Sequence, residues 1–113
     1  MDWIKDFVRL NDDIIIVKGK ETTSLKLISI SKKEIIKTID IQFECCGISL
    51  IEDKGIFLVG GYCNDIRIYR NDNYECIQEI KNAHNDYIRV FIEIKYGSIA
   101  SFSDDETIKI LSF

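Results

Sequence analysis

Short apolar runs alternate with short polar breaks along the whole chain. The runs are Ile14–Val17, Leu25–Ile28, Glu34–Ile39, Ile56–Val59, Ile66–Tyr69, Cys76–Ile80, Ile88–Ile92, Ser98–Ser101 and Ile108–Leu111. Several alternate apolar with polar residues, the period of a strand with one buried face. The breaks are Asn11-Asp12-Asp13, Asp53-Lys54-Gly55, Asn71-Asp72-Asn73 and Lys95-Tyr96-Gly97. Asn, Asp and Gly tolerate left-handed dihedrals or bond their own backbone, so these stretches read as turns. No stretch carries a useful helical period. The pattern predicts an all-β chain.

Three of the runs match one another. Ser24-Leu25-Lys26-Leu27-Ile28, Asp65-Ile66-Arg67-Ile68-Tyr69 and Thr107-Ile108-Lys109-Ile110-Leu111 each place aliphatic, basic, aliphatic and bulky apolar residues after a small or acidic one. The preceding runs, from Ile14, Ile56 and Ser98, keep the same spacing, a period of about 42 residues, within the ~40–45 of a four-stranded propeller blade. The expected architecture is a partial β-propeller of about three blades, spanning residues 1–41, 42–82 and 83–113, the last lacking its outer strand. The missing strand would leave an edge beyond Leu111 open to a further or partner strand.

Ala83-His84-Asn85-Asp86-Tyr87-Ile88 resembles the Gly-His entry of a WD repeat, and Ser101 to Leu111 resembles the second half of that repeat. Leu111-Ser112 stands where the family closes on Trp-Asp, and Ala83 where Gly is usual. The resemblance implies a non-catalytic protein-interaction scaffold of the WD-repeat type, a fragment or assembling part of a larger propeller. It also implies a structural network in which Asp105 accepts from turn amides and His84, while His84 reaches the hydroxyl of Ser101 or Ser103. The first two blades lack these residues: Phe43 stands near the His position, and Cys63-Asn64 where the turn Asp belongs. Their cores are expected to rest on aliphatic packing. Two alternatives are a structural or degenerate propeller segment with no binding role, and a peptide- or ubiquitin-recognition module.

Composition removes other classes. Fifteen Lys and Arg against nineteen Asp and Glu give a net charge of −4, with no basic stripe, which argues against a nucleic-acid partner. No apolar run approaches the ~18 residues that span a bilayer, and the N-terminus has no signal-peptide pattern. The default is an intracellular, cytoplasmic protein. Cys45, Cys46, Cys63 and Cys76 lack zinc spacing, adjacent strand cysteines point to opposite faces, and all four read as buried, inert thiols. No metal or cofactor is expected.

Catalysis is not expected either. His84, Asp105 and Ser101 or Ser103 lack a glycine-flanked nucleophile turn. Asp104-Asp105-Glu106 lacks the alternating ligands of a calcium loop, and Gly60-Gly61 precedes no helix or Lys-Ser pair that would cradle phosphate, reading instead as a turn at a strand end. The aromatics Trp3, Tyr62, Tyr69, Tyr87 and Tyr96 are of interest because binding surfaces are rich in Tyr and Trp. Tyr62, Asp86, Tyr87 and Asp104 are the candidate partner-binding residues. With Asp65 they suggest an acidic rim for a basic protein or peptide, and self-association or completion by further blades is a second expectation.

Overall fold

The computed structural model describes residues 4–19, 23–62, 64–95 and 97–113, with side chains from Phe7 onward. Trp3, Cys63 and Tyr96 lie outside the described residues. The strands are β1 (Ile4–Arg9), β2 (Ile14–Gly19), β3 (Ser24–Ser29), β4 (Glu34–Asp40), β5 (Cys45–Ile51), β6 (Ile56–Gly61), β7 (Ile66–Arg70), β8 (Cys76–Ile80), β9 (Ile88–Lys95), β10 (Ser98–Ser103) and β11 (Ile108–Ser112). A 3-10 turn at Glu52–Lys54 follows β5.

The strands form three discrete antiparallel sheets, ordered β1-β2-β3-β4, β5-β6-β7-β8 and β11-β10-β9. They fall into two compact units, Met1–Cys45 and Cys46–Phe113. None of the sheets is closed on itself, and the expected partial propeller is corrected to an all-β fold of three discrete sheets. The physical reason is that a 42-residue period sets how many strands pair within a sheet. It carries no information on how one sheet is placed against the next.

The first unit is held by alternation. Leu25 and Leu27 on β3 and Ile16 on β2 are fully buried, while Lys26 between the leucines is exposed. A polar contact adds to this apolar packing. Asp13, at the entrance to β2, accepts the Ser29 hydroxyl at 2.8 Å and the Ser31 amide at 2.8 Å, and Ser29 is buried. These donors, the Ser31 amide foremost, hold the Asp13 carboxyl below the usual carboxylate range. The expectation of aliphatic packing alone is therefore too simple for this unit.

In the second unit, one face of β5–β8 packs on one face of β9–β11. Ile51, Ile56, Leu58, Ile66 and Ile68 meet Ala83, Ile88, Phe91 and Ile99, with Ile80, Leu111 and Phe113 at the margin. Gly60 and Gly61 lie inside β6, buried, and not in a turn. A Cβ on Gly60 would stand 2.9 Å from the Phe91 ring tip and 3.0 Å from Ile88 Cγ2, and one on Gly47 would stand 3.1 Å from the same ring. Both glycines thus make room for one aromatic ring where the sheets come together. On the other face of β6 and β7, Phe57 and Tyr69 stack with ring centroids 5.3 Å apart, and both are buried. The β5–β8 sheet therefore buries residues on both faces.

Cys45 is buried, Cys46 half-buried and Cys76 exposed. The alternating burial along β5 puts the first two on opposite faces. Cys76 departs from the expected burial because β8 is an outer strand with most of its side chains exposed.

Candidate interaction surface

The segment before β9 brings His84 into the second unit. Its amide donates to the Asn64 carbonyl at 3.2 Å, and its imidazole is fully buried. Nδ1 lies 3.2 Å from Asp105 Oδ2 and 3.0 Å from Thr107 Oγ1, and Nε2 lies 2.8 Å from Ser101 Oγ. Asp105 also accepts the amides of Asn85 and Thr107, each at 2.8 Å, and the Thr107 hydroxyl. The Thr107 hydroxyl is the chief reason its carboxyl is held far below the usual range, with the Asn85 and Thr107 amides and His84 adding to the effect. Of the two candidate serines, Ser101 meets the imidazole. Ser103 sits in the turn, donating to the Asp86 carbonyl at 3.2 Å and accepting the Asp105 amide at 3.1 Å. Thr107 is the member that sequence reasoning missed, and its signal was a hydroxyl two residues after the turn Asp. Every polar atom of this cluster is engaged, and no glycine-flanked turn presents Ser101 to solvent; it is buried. The arrangement braces a turn.

Tyr62, Tyr87 and Asp104 are brought together at one end of the same unit. The two tyrosine rings have centroids 4.7 Å apart. The residue that gathers them is Arg89 on β9, which was not among the candidates. Its guanidinium lies 5.3 Å from the Tyr62 ring centroid and 5.8 Å from that of Tyr87. It grips Asp104 in a two-pronged ion pair, Nε to Oδ1 at 2.9 Å and Nη2 to Oδ2 at 2.6 Å. Asp104 raises the Arg89 pKa further above its ordinary value, and Arg89 lowers that of Asp104. Asp86 stays at the margin, accepting the Tyr87 amide at 2.7 Å. Asp65 is engaged by Lys81 Nζ at 3.4 Å and the Asn82 amide at 2.8 Å. Two of the three rim acids, Asp65 and Asp104, therefore have a cation beside them.

An exposed apolar surface lies elsewhere, on the outward face of β9–β11. In register, Val90 stands opposite Phe102, which stands opposite Ile108; the next row is Ile92, Ala100, Ile110. Residues paired across a ladder share a face, so these two rows form one apolar surface, extended by Ile94. Val90, Ile92, Ile94, Ile108 and Ile110 are all exposed. In β3, β7 and β11, which share the aliphatic–basic–aliphatic pattern, the first aliphatic is Leu25 at 0%, Ile66 at 0% and Ile108 at 60% exposure. The second is Leu27 at 0%, Ile68 at 1% and Ile110 at 60%. The pattern in β11 is the same as in the strands whose faces are covered, so the strand itself does not declare this exposure.

Among the described residues no group of three His, Cys, Asp or Glu is placed to hold a metal ion, and no helix is long and apolar enough to cross a membrane.

No protein-family model matches the chain, and no curated protein matches it either. Among solved structures it is similar to the computationally designed Ika4 protein, with 14% identity and a TM-score of 0.78, covering 96% of this chain and 65% of that one. It is also similar to the computationally designed Ika8 protein, with 14% identity and a TM-score of 0.78, covering 97% of this chain and 33% of that one. The chain thus spans just under two thirds of one designed protein and a third of the other. At this identity the likeness concerns the fold alone. These findings overturn the expected WD-repeat scaffold: the fold is one shared with designed all-β proteins, and the three sheets stand as separate sheets.

Proposed function

We propose that this chain acts by protein association, through the outward face of β9–β11, and that the occupant of that face is a second copy of the chain. The carrying observation is the exposure of Ile108 and Ile110 at 60% where the same pattern in β3 and β7 is buried. A contiguous exposed apolar surface marks an interaction site more often than scattered exposed side chains do. The face carries no charge along its two rows, and interface cores are depleted of charge. Two copies stacked face to face therefore meet no like-charge repulsion, in the isologous arrangement commonest among oligomers. The inner face of the same sheet already packs in this way, aliphatic sheet on aliphatic sheet, through Ile88, Phe91 and Ile99.

Sedimentation over a wide concentration range tests the reading. The wild-type mass should rise toward a dimer with concentration. Ile92→Lys combined with Ile110→Lys, in one row of the face, should remain monomeric with an unchanged unfolding midpoint. A wild-type chain that stays monomeric throughout would refute the proposal.

A further inference from the structure

We infer that the exposed cluster of Tyr62, Tyr87 and Arg89 is a docking site for an extended, proline-containing segment of a partner protein, whose rings lie on the tyrosines and whose carbonyls accept from Arg89. The site is separate from the outward face of β9–β11. The 113 residues contain no proline, so the segment comes neither from them nor from a second copy of them.

The cluster is built by an irregularity in the sheet. Between β9 and β10, Phe102 stands opposite Val90 and Ser103 opposite Ile88, with a shift in register between them. Arg89 is thus an extra residue in β9. A bulge of this kind takes its residue out of the ladder and re-aims the side chain. Here the guanidinium lies over the rings of Tyr62, just past β6, and Tyr87, just before β9. The two-pronged pair with Asp104 then fixes it. The turn that carries Asp104 is itself tied to the start of β9. The Asp104 amide donates to the Tyr87 carbonyl at 3.0 Å, and the Ser103 hydroxyl to the Asp86 carbonyl at 3.2 Å. The cluster is therefore ordered before a ligand arrives, which lowers the entropy lost on binding. It also stays open, with Tyr62 38% and Tyr87 43% exposed. Tyr and Arg are enriched among the residues that carry most of the energy of an interface.

The chemistry selects the ligand. A cationic side chain would need the place over the tyrosine faces that Arg89 already occupies. An anionic one would meet the Asp104 carboxylate, which also neutralises Arg89. What the cluster offers is ring surface and hydrogen-bond donors. A guanidinium has five N–H groups. Arg89 spends two on Asp104 and one on the Tyr62 hydroxyl, the last at 3.4 Å. The remaining two, one on each terminal nitrogen, meet no acceptor among the described residues. A polyproline segment matches both offers. It presents pyrrolidine rings, has no N–H of its own at the prolines, and leaves its carbonyls without internal partners. Its stiffness further reduces the entropy of docking on an aromatic surface.

A blocked oligoproline peptide, titrated at millimolar concentration into isotope-labelled protein, tests the site. The amides of Tyr62, Tyr87, Arg89 and Asp104 and the ring resonances of both tyrosines should shift, while a Gly-Ser peptide of equal length should leave them in place. Tyr87→Ala should weaken binding about tenfold or more, the scale of a residue central to an interface. Arg89→Lys keeps the charge but loses the planar fork, and should weaken it roughly three- to tenfold. Both variants alter exposed side chains and should keep the wild-type amide spectrum elsewhere. Ile92→Lys combined with Ile110→Lys, which abolishes stacking through the outward face, should bind the peptide as the wild type does, so this inference and the proposed self-association fail separately. No shift at the cluster with oligoproline, equal shifts with the Gly-Ser peptide, tighter binding of oligolysine, or unchanged affinity in Tyr87→Ala would each overturn the inference.

Discussion

Replacing Gly60 by alanine tests the close approach of the two sheets in the second unit, because the two effects in play have opposite signs. An alanine in a strand restricts the unfolded chain, and where it fits without strain it stabilises by about 0.4–1 kcal/mol. At Gly60 it does not fit. The new methyl would meet the Phe91 ring at 2.9 Å and Ile88 Cγ2 at 3.0 Å. The ring has little freedom to shift, since the same edge, through Cδ2 and Cε2, also lies against Gly47 and the residue is buried. Overpacking of this kind costs about 1–3 kcal/mol. The steric cost outweighs the entropic gain, and Gly60→Ala should destabilise by about 1–2 kcal/mol net. Urea unfolding followed by far-ultraviolet circular dichroism would measure it. Phe91→Leu alone removes buried ring atoms and is destabilising in its own right. The two changes together should cost clearly less than the sum of their separate effects, because the shortened side chain admits the methyl. A neutral or stabilising Gly60→Ala, or strict additivity of the pair, would refute the claim that the glycine exists to admit the ring.

Two further predictions concern the His84 network. Ser101→Ala leaves the buried Nε2 of His84 without its partner and should destabilise by about 1–3 kcal/mol, whereas Arg89→Leu, which removes an exposed ion pair, should cost about 1 kcal/mol or less; matched unfolding curves in which the two costs are equal would contradict the distinction. Asp105 is held below its ordinary value, chiefly by the Thr107 hydroxyl. A depressed carboxylate stabilises the fold above its unfolded pKa, and that contribution fades as the pH falls from the ordinary carboxylate range toward the folded value. The wild type should therefore lose stability between neutral and strongly acid pH more steeply than Asp105→Asn, and parallel urea midpoints across that range would refute the assignment.

The strands were legible because alternation in short apolar runs is a local signal. Leu25-Lys26-Leu27 declares a buried and an exposed face without reference to any other part of the chain. The bonds around His84 were expected only from the resemblance of that segment to a WD repeat, and the expectation left out Thr107. What the sequence did not disclose is how the sheets are arranged. Ile108-Lys109-Ile110 is written like the buried strands yet is exposed, because burial is decided by what lies across the face and not by the strand itself. Gly60 was misread for a related reason. A glycine pair looks the same in sequence whether it turns the chain or clears space for a ring packed from a distant strand. Arg89 was missed because its role depends on Tyr62, Tyr87 and Asp104 meeting in space.

His84 joins three places that are far apart along the chain. Its main-chain amide holds Asn64 in the connection between β6 and β7, while its ring holds Ser101 on β10 and the turn before β11. Hairpins of this kind close locally and would otherwise open one at a time. A shared anchor changes the dynamics: β5–β8 cannot loosen at that end without releasing β9–β11. The amides of both sheets should then exchange with solvent as one cooperative unit, and a chain lacking the imidazole should exchange as two.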